Sequence, residues 1–118
     1  MRHNTKKIKL RSAKGHQRQL LRNLAMSLII HEKIKTTEAK ARAVKSFVEE
    51  LIQIAKTYEK REAIRKLESE LQHEDTSKKL LEVLKEKYAE KEGGYTRTTK
   101  LGYRNGDNAP VVQIELTD

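Results

Sequence analysis

Residues 93–116 read GGYTRTTKLGYRNGDNAPVVQIEL, and this stretch decides between an all-helical chain and one that also carries a sheet. It holds four of the chain's five glycines and its only proline. Gly93 and Gly94 directly follow a helical pattern, where a glycine can take the left-handed conformation that stops a helix. The run after them is rich in threonine and tyrosine, which favour strands. In VVQIEL, Val112, Ile114 and Leu116 fall on one face. Between the two runs lies NGDNAP, a cluster of turn formers that begins with Asn105 and Gly106. The pattern predicts a hairpin with Pro110 at the start of its second strand. By parity, Tyr95, Arg97 and Tyr103 share one face of the first strand, and Lys100 and Arg104 the other. Rings and guanidinium planes in that arrangement can stack on unpaired RNA bases while cations meet phosphates. The equal alternative is that one or both tyrosines are core residues.

The glycines do not form a phosphate loop. A P-loop needs a glycine immediately before Lys-Ser/Thr, whereas Lys100 lies between Thr99 and Leu101. A dinucleotide fingerprint has glycines that open a helix, and these close one. NGDN is too short for a calcium loop and lacks its distal glutamate. The four histidines, at 3, 16, 31 and 73, have no metal-ligand spacing, and no serine sits in a nucleophile elbow. The sequence points to no enzyme, no cofactor, no metal and no small-molecule substrate.

Upstream, Leu20, Leu21, Leu24, Ala25, Leu28 and Ile29 recur at helical spacing from His16 onward, which predicts an amphipathic helix. Ile34 between polar neighbours, followed by two threonines, reads as a short strand that enters a second helix at about Glu38, with Thr36 or Thr37 as N-cap. Ala41, Val44, Val48, Leu51 and Ala55 step by three and four along that helix to about Lys56 and mark it as the central core element. In 59–92, the stripes Ile64, Leu67, Leu71 and Leu80, Leu81, Leu84, Tyr88 predict a charged helical pair broken at HEDTS, with Asp75 or Thr76 as cap.

Charge is distributed unevenly. The 118 residues carry a formal net charge of +9, yet residues 1–22 alone contribute +8, from Arg2, Lys6, Lys7, Lys9, Arg11, Lys14, Arg18 and Arg22 with no acid among them. A one-sign block of this kind is the footprint of a polyanion partner. It runs directly into the first amphipathic helix, which roots it against a core. There is no cysteine, so nothing rests on disulfides or thiol chemistry. No run approaches the roughly 20 apolar residues of a membrane span. The expectation is a soluble intracellular protein. Two rivals to an RNA role are a DNA-binding or nucleoid protein, for which no helix-turn-helix pair or zinc framework is visible, and a membrane-surface protein, whose apolar helix face is needed by the core.

MRH at the start, His16 leading into RNLAMSLIIHEKIKTTEAKA (22–41), GGYTR (93–97) and GDNAP (106–110) followed by a final strand resemble the bacterial large-subunit ribosomal protein L17 family from end to end. The resemblance implies a structural ribosomal protein, cytoplasmic and in the ribosome, near the peptide exit region. Its implied partners are large-subunit ribosomal RNA and neighbouring large-subunit proteins. The implied fold is α+β, a small three-stranded mixed sheet packed with about four helices. It pairs a strand near 33–37 with the hairpin, which periodicity alone does not do. The expected organisation is a basic RNA-binding arm over 1–15 and a single α+β domain over 16–118. The family pattern falls on Arg2, His3, His16, Arg22, Thr36, Thr37, Lys40, Tyr95, Arg97 and Gly106 to Pro110. Leaving out Gly106 to Pro110, these residues together with Lys6, Lys7, Lys9, Arg11, Lys14, Arg18, Lys35, Lys100 and Arg104 form the candidate RNA-contact set. The arm departs from the pattern at Lys6-Lys7, where the family usually has Ser-Gly, and at Arg18, an arginine displaced by one place and so by about 100° around a helix.

Overall fold

The computed structural model describes residues 14–117. The chain begins there with helix α1, Lys14–His31, whose apolar stripe buries Ala25, Leu28 and Ile29, with Leu21 and Leu24 half-buried beside them. The helix closes at Glu32, which takes the left-handed conformation at φ 68° and donates its N–H to Leu28 O at 2.7 Å. That conformation costs a side-chain-bearing residue free energy, and Lys79 helps to hold it. The Lys79 ammonium donates to Ile30 O at 3.1 Å and lies 3.5 Å from the Glu32 carboxylate.

Strand β1, Lys33–Thr37, leads straight into helix α2, Glu38–Thr57, with Thr37 as N-cap. The Thr37 side chain makes no capping hydrogen bond. Instead Glu38 in the first turn meets the exposed N–H dipoles and pairs with Arg42 at 3.2 Å. Helix α2 is the central element the spacing predicts, with Ala41, Val44, Val48, Leu51, Ile52 and Ala55 buried.

Helix α3, Lys60–Leu71, buries Ala63, Leu67 and Leu71. The break that follows carries its cap two or three residues earlier than expected. His73, not Asp75 or Thr76, is the N-cap of α4, Glu74–Lys79, and its Nδ1 accepts from the Thr76 N–H at 3.3 Å. Thr76 is itself buried inside that first turn, which removes it from the capping position. A π-helical turn, Leu80–Leu84, then runs into α5, Lys85–Lys87. Lys79, Leu80, Leu84 and Lys85 all keep right-handed helical dihedrals, so this segment is one continuous rod and the described residues form four helical bodies. Leu80, Leu84 and Tyr88 enter the core from it.

Strands β2, Thr96–Tyr103, and β3, Pro110–Leu116, form the hairpin, and the sheet order is β1-β3-β2. Both pairings are antiparallel, which corrects the mixed sheet expected above. The described helices cover one face only, and a sheet with one open face is typically antiparallel because parallel strands are usually buried on both sides. On the covered side the register aligns Ile34, Ile114 and Thr98 in one row and Thr96 with Leu116 in another. Ile114 and Leu116 join the core.

The hairpin contains one irregularity. Lys100 pairs with Val112 and Gly102 with Val111, leaving Leu101 as an extra residue on β2. Such a bulge reverses the alternation of faces beyond it. Gly102, at φ 123°, supplies the backbone conformation that side chains rarely adopt. Tyr103 therefore lies by register on the face of Lys100 rather than that of Arg97, and the shared face expected for Arg97 and Tyr103 is corrected.

Candidate nucleic-acid interface

Of the candidate cations and histidines, Arg2, His3, Lys6, Lys7, Lys9 and Arg11 lie outside the described residues. Lys14 opens α1, and His16 and Arg18 are exposed along its first turns. Arg22 behaves differently. Its Nε donates to Glu70 O at 2.7 Å and its Nη2 reaches Ser69 O at 3.5 Å, so the guanidinium sits on carbonyls at the C-terminal end of α3. A helix C-terminus leaves such carbonyls without intrahelical partners and carries partial negative charge, which a guanidinium satisfies on both counts. Arg22 is a tie between helices α1 and α3.

The second group of candidates lies on the sheet. Helix α1 has 18 residues and is about 27 Å long, and β1 starts after its far end. The start of α1 and the sheet are thus separated, and the candidates among the described residues do not form a single patch. On the side of the sheet away from the helices, the register sets Lys33, Glu115 and Arg97 in one row and Lys35, Gln113 and Thr99 in the next. Lys33, Lys35, Arg97 and Thr99 are exposed, and Gln113 and Glu115 are half-buried between them. Arg97 lies 3.9 Å from the Glu115 carboxylate. Neither Lys33 nor Lys35 has an ion-pair partner among the described residues. Thr37 belongs to this face opposite Val111, whereas Thr36 lies on the helix side opposite Val112, half-buried. Lys40 is half-buried in the first turn of α2.

Tyr95 is a core residue. It is 2% exposed, its ring meets Tyr88 at 5.1 Å between centroids, and its hydroxyl donates to Gln53 Oε1 at 2.9 Å while accepting from Lys56 Nζ at 2.8 Å. A ring enclosed in this way has no face to offer a base, so the stacking role considered for it is corrected in favour of the core alternative. Tyr103, by contrast, is 73% exposed. At the hairpin tip Arg104 is occupied by Asp107, with Nε–Oδ1 at 3.1 Å and Nη2–Oδ2 at 2.5 Å. The paired guanidinium and the Ala109 N–H together hold the Asp107 carboxyl down at about 2. Lys100 is exposed.

Lys33 is the residue that the reading of the sequence missed. The signal was present: in Lys33-Ile34-Lys35, once Ile34 is assigned to the core, period-two alternation sends both lysines to the opposite face.

The sequence model of the family described as Ribosomal protein L17 matches residues 20–117. A protein of Maricaulis maris named Large ribosomal subunit protein bL17 is 44% identical over all of this chain and 84% of its own length. Its namesake in Ehrlichia chaffeensis is 40% identical over all of this chain and 91% of its own length. A third, from Wolbachia pipientis, is 44% identical over all of this chain and 84% of its own length. With this match running across helices, sheet and hairpin alike, the chain belongs to the ribosomal protein L17 family.

Proposed function

We propose that the chain is a structural constituent of the large ribosomal subunit, cytoplasmic and in the ribosome, that binds large-subunit ribosomal RNA and supports subunit assembly and translation. The observation that carries this reading is the family match over the whole chain, shared with relatives named for that subunit. The chemistry agrees with it: +8 of the net +9 charge lies in residues 1–22, which run into α1, and the remaining helical and sheet body carries only +1. The protein acts by binding and shape rather than by catalysis. Arm cations neutralise phosphates, the start of α1 continues that charge through His16 and Arg18, and Lys35, Arg97 and Lys100 add contacts from the sheet.

The test is a sedimentation profile in magnesium together with a salt titration. Comigration with the large subunit is expected. The affinity of the isolated protein for large-subunit RNA should fall by about a thousandfold between 50 and 200 mM salt if about six phosphates are contacted. A protein that stays at the top of the gradient, or an affinity indifferent to salt, overturns the reading.

A further inference from the structure

We propose that the open face of the sheet is a second RNA-binding surface, distinct from the arm, and that it docks double-stranded A-form RNA through phosphates and 2′-hydroxyls rather than through stacked bases. This rests on the ribosomal reading above and specifies what one surface does within it.

Three observations point the same way. Among the described residues the face is uncovered and cationic at its edges: Lys33 and Lys35 on β1 have no ion-pair partner there, and Arg97 on β2 has only Glu115, at 3.9 Å. Strands lie about 4.8 Å apart and alternate residues about 7 Å apart. The row Lys33, Glu115, Arg97 thus spans about 10 Å, with the row Lys35, Gln113, Thr99 beside it. Between the cations the face presents a hydroxyl at Thr99 and an amide at Gln113, groups that both donate and accept, as a 2′-hydroxyl does.

The third observation concerns what the face lacks. A sheet that reads single-stranded RNA displays aromatic rings on which bases stack. Here Tyr95 is enclosed in the core, and the Leu101 bulge turns Tyr103 to the other side, so no ring occupies the rows on this face. A surface of lysine, arginine, threonine and glutamine, whose one central carboxylate, Glu115, is half-buried and lies beside Arg97, suits the wide, shallow minor groove of an RNA duplex, where recognition runs through shape, phosphate and 2′-hydroxyl.

The experiment uses the full chain and three probes: an RNA duplex of about 16 base pairs, the DNA duplex of the same sequence, and the single RNA strand. Wild-type protein should favour the RNA duplex over both others. The double variant Lys33→Gln/Lys35→Gln should weaken RNA-duplex binding by about tenfold, reduce the salt slope by about two, and bring the RNA-to-DNA preference close to one. Lys45→Gln/Lys60→Gln, which removes two exposed lysines from the helical side, should leave the preference unchanged. Unaltered duplex binding by the Lys33/Lys35 variant overturns the proposal, and so does tighter binding of the single strand. Intact duplex binding with lowered retention in salt-washed subunits assigns the face to a neighbouring protein instead. If the wild-type chain binds no RNA at all, the ribosomal reading fails with it; if it binds but shows no duplex preference, only the assignment of this face fails.

Discussion

The ring of Tyr88 packs against that of Tyr95 at 5.1 Å between centroids, tilted by 52°, and joins the last helical turn to the entrance of β2. The Tyr88 hydroxyl donates to Thr117 O at 2.5 Å, and the Thr117 N–H donates to Tyr95 O at 2.9 Å. The loop containing Gly93 and Gly94 is thereby clasped at both ends. Tyr95→Ala removes a fully enclosed ring and should cost about 3–5 kcal/mol, read by denaturant unfolding. Tyr95→Phe keeps the ring and loses only the hydroxyl's bonds, for about 1–2 kcal/mol. Equal losses in the two variants would show that the hydroxyl, not the packing, matters.

Burial raises the Tyr88 hydroxyl above its ordinary value of 10.0, against the opposing pull of the Lys87 charge. The folded state thus keeps this proton where the unfolded chain has released it, so the contribution is fully present below pH 10 and declines as pH rises beyond it. Thermal midpoints followed from pH 9 upward should fall, and Tyr88→Phe should flatten part of that fall. A Phe variant with the wild-type slope contradicts the assignment.

Arg22 ties α1 to the end of α3, so Arg22→Ala should lower stability by about 0.5–1.5 kcal/mol by removing the guanidinium's bonds to the Glu70 and Ser69 carbonyls. Arg18→Ala, at an exposed position one turn earlier, should leave stability within about 0.5 kcal/mol. Circular dichroism melts of the two variants separate a structural arginine from one free to meet phosphate.

The Arg104 and Asp107 pair should be visible by nuclear magnetic resonance. The Asp107 carboxyl is expected to titrate near 2, and Arg104→Ala should move it toward the ordinary 3.8. Because the folded value is lowered, what the pair contributes is present above about pH 3.8 and is lost as pH falls toward 2. A midpoint that ignores the arginine would show that the turn amides alone set it.

Deleting residues 2–13 should weaken RNA binding and flatten its salt dependence while the melting curve of the helical body stays in place, since the core is built from residues of α1 onward. An unfolded truncation product would assign the arm to the core.

Much of this protein follows from its sequence alone. Apolar spacing places α1 and α2, and Asn105-Gly106 with Pro110 sets the hairpin, because each rests on local periodicity or local backbone preference; the paired glycines, expected to stop the last helix, instead lie in the loop beyond it, since that helix already ends at Lys87 with Tyr88 as its C-cap. Charge position, a property of sequence order, is what singles out residues 1–22, with +8 of the net +9, as the proposed meeting place with a polyanion. What depended on long-range packing could not be read this way. Arg22 and Arg18 look alike on a helical wheel, yet only contact with α3, 47 and 48 residues distant, makes one a helix tie. Parity puts Tyr95 and Arg97 on one strand face, yet Tyr95 precedes β2 and its ring is enclosed in the core while Arg97 lies on the side away from the helices, so the shared face expected for them is corrected by the packing. The single residue Leu101 then reverses the rule for Tyr103, since a bulge is a matter of pairing between two strands and leaves no trace in the periodicity of either.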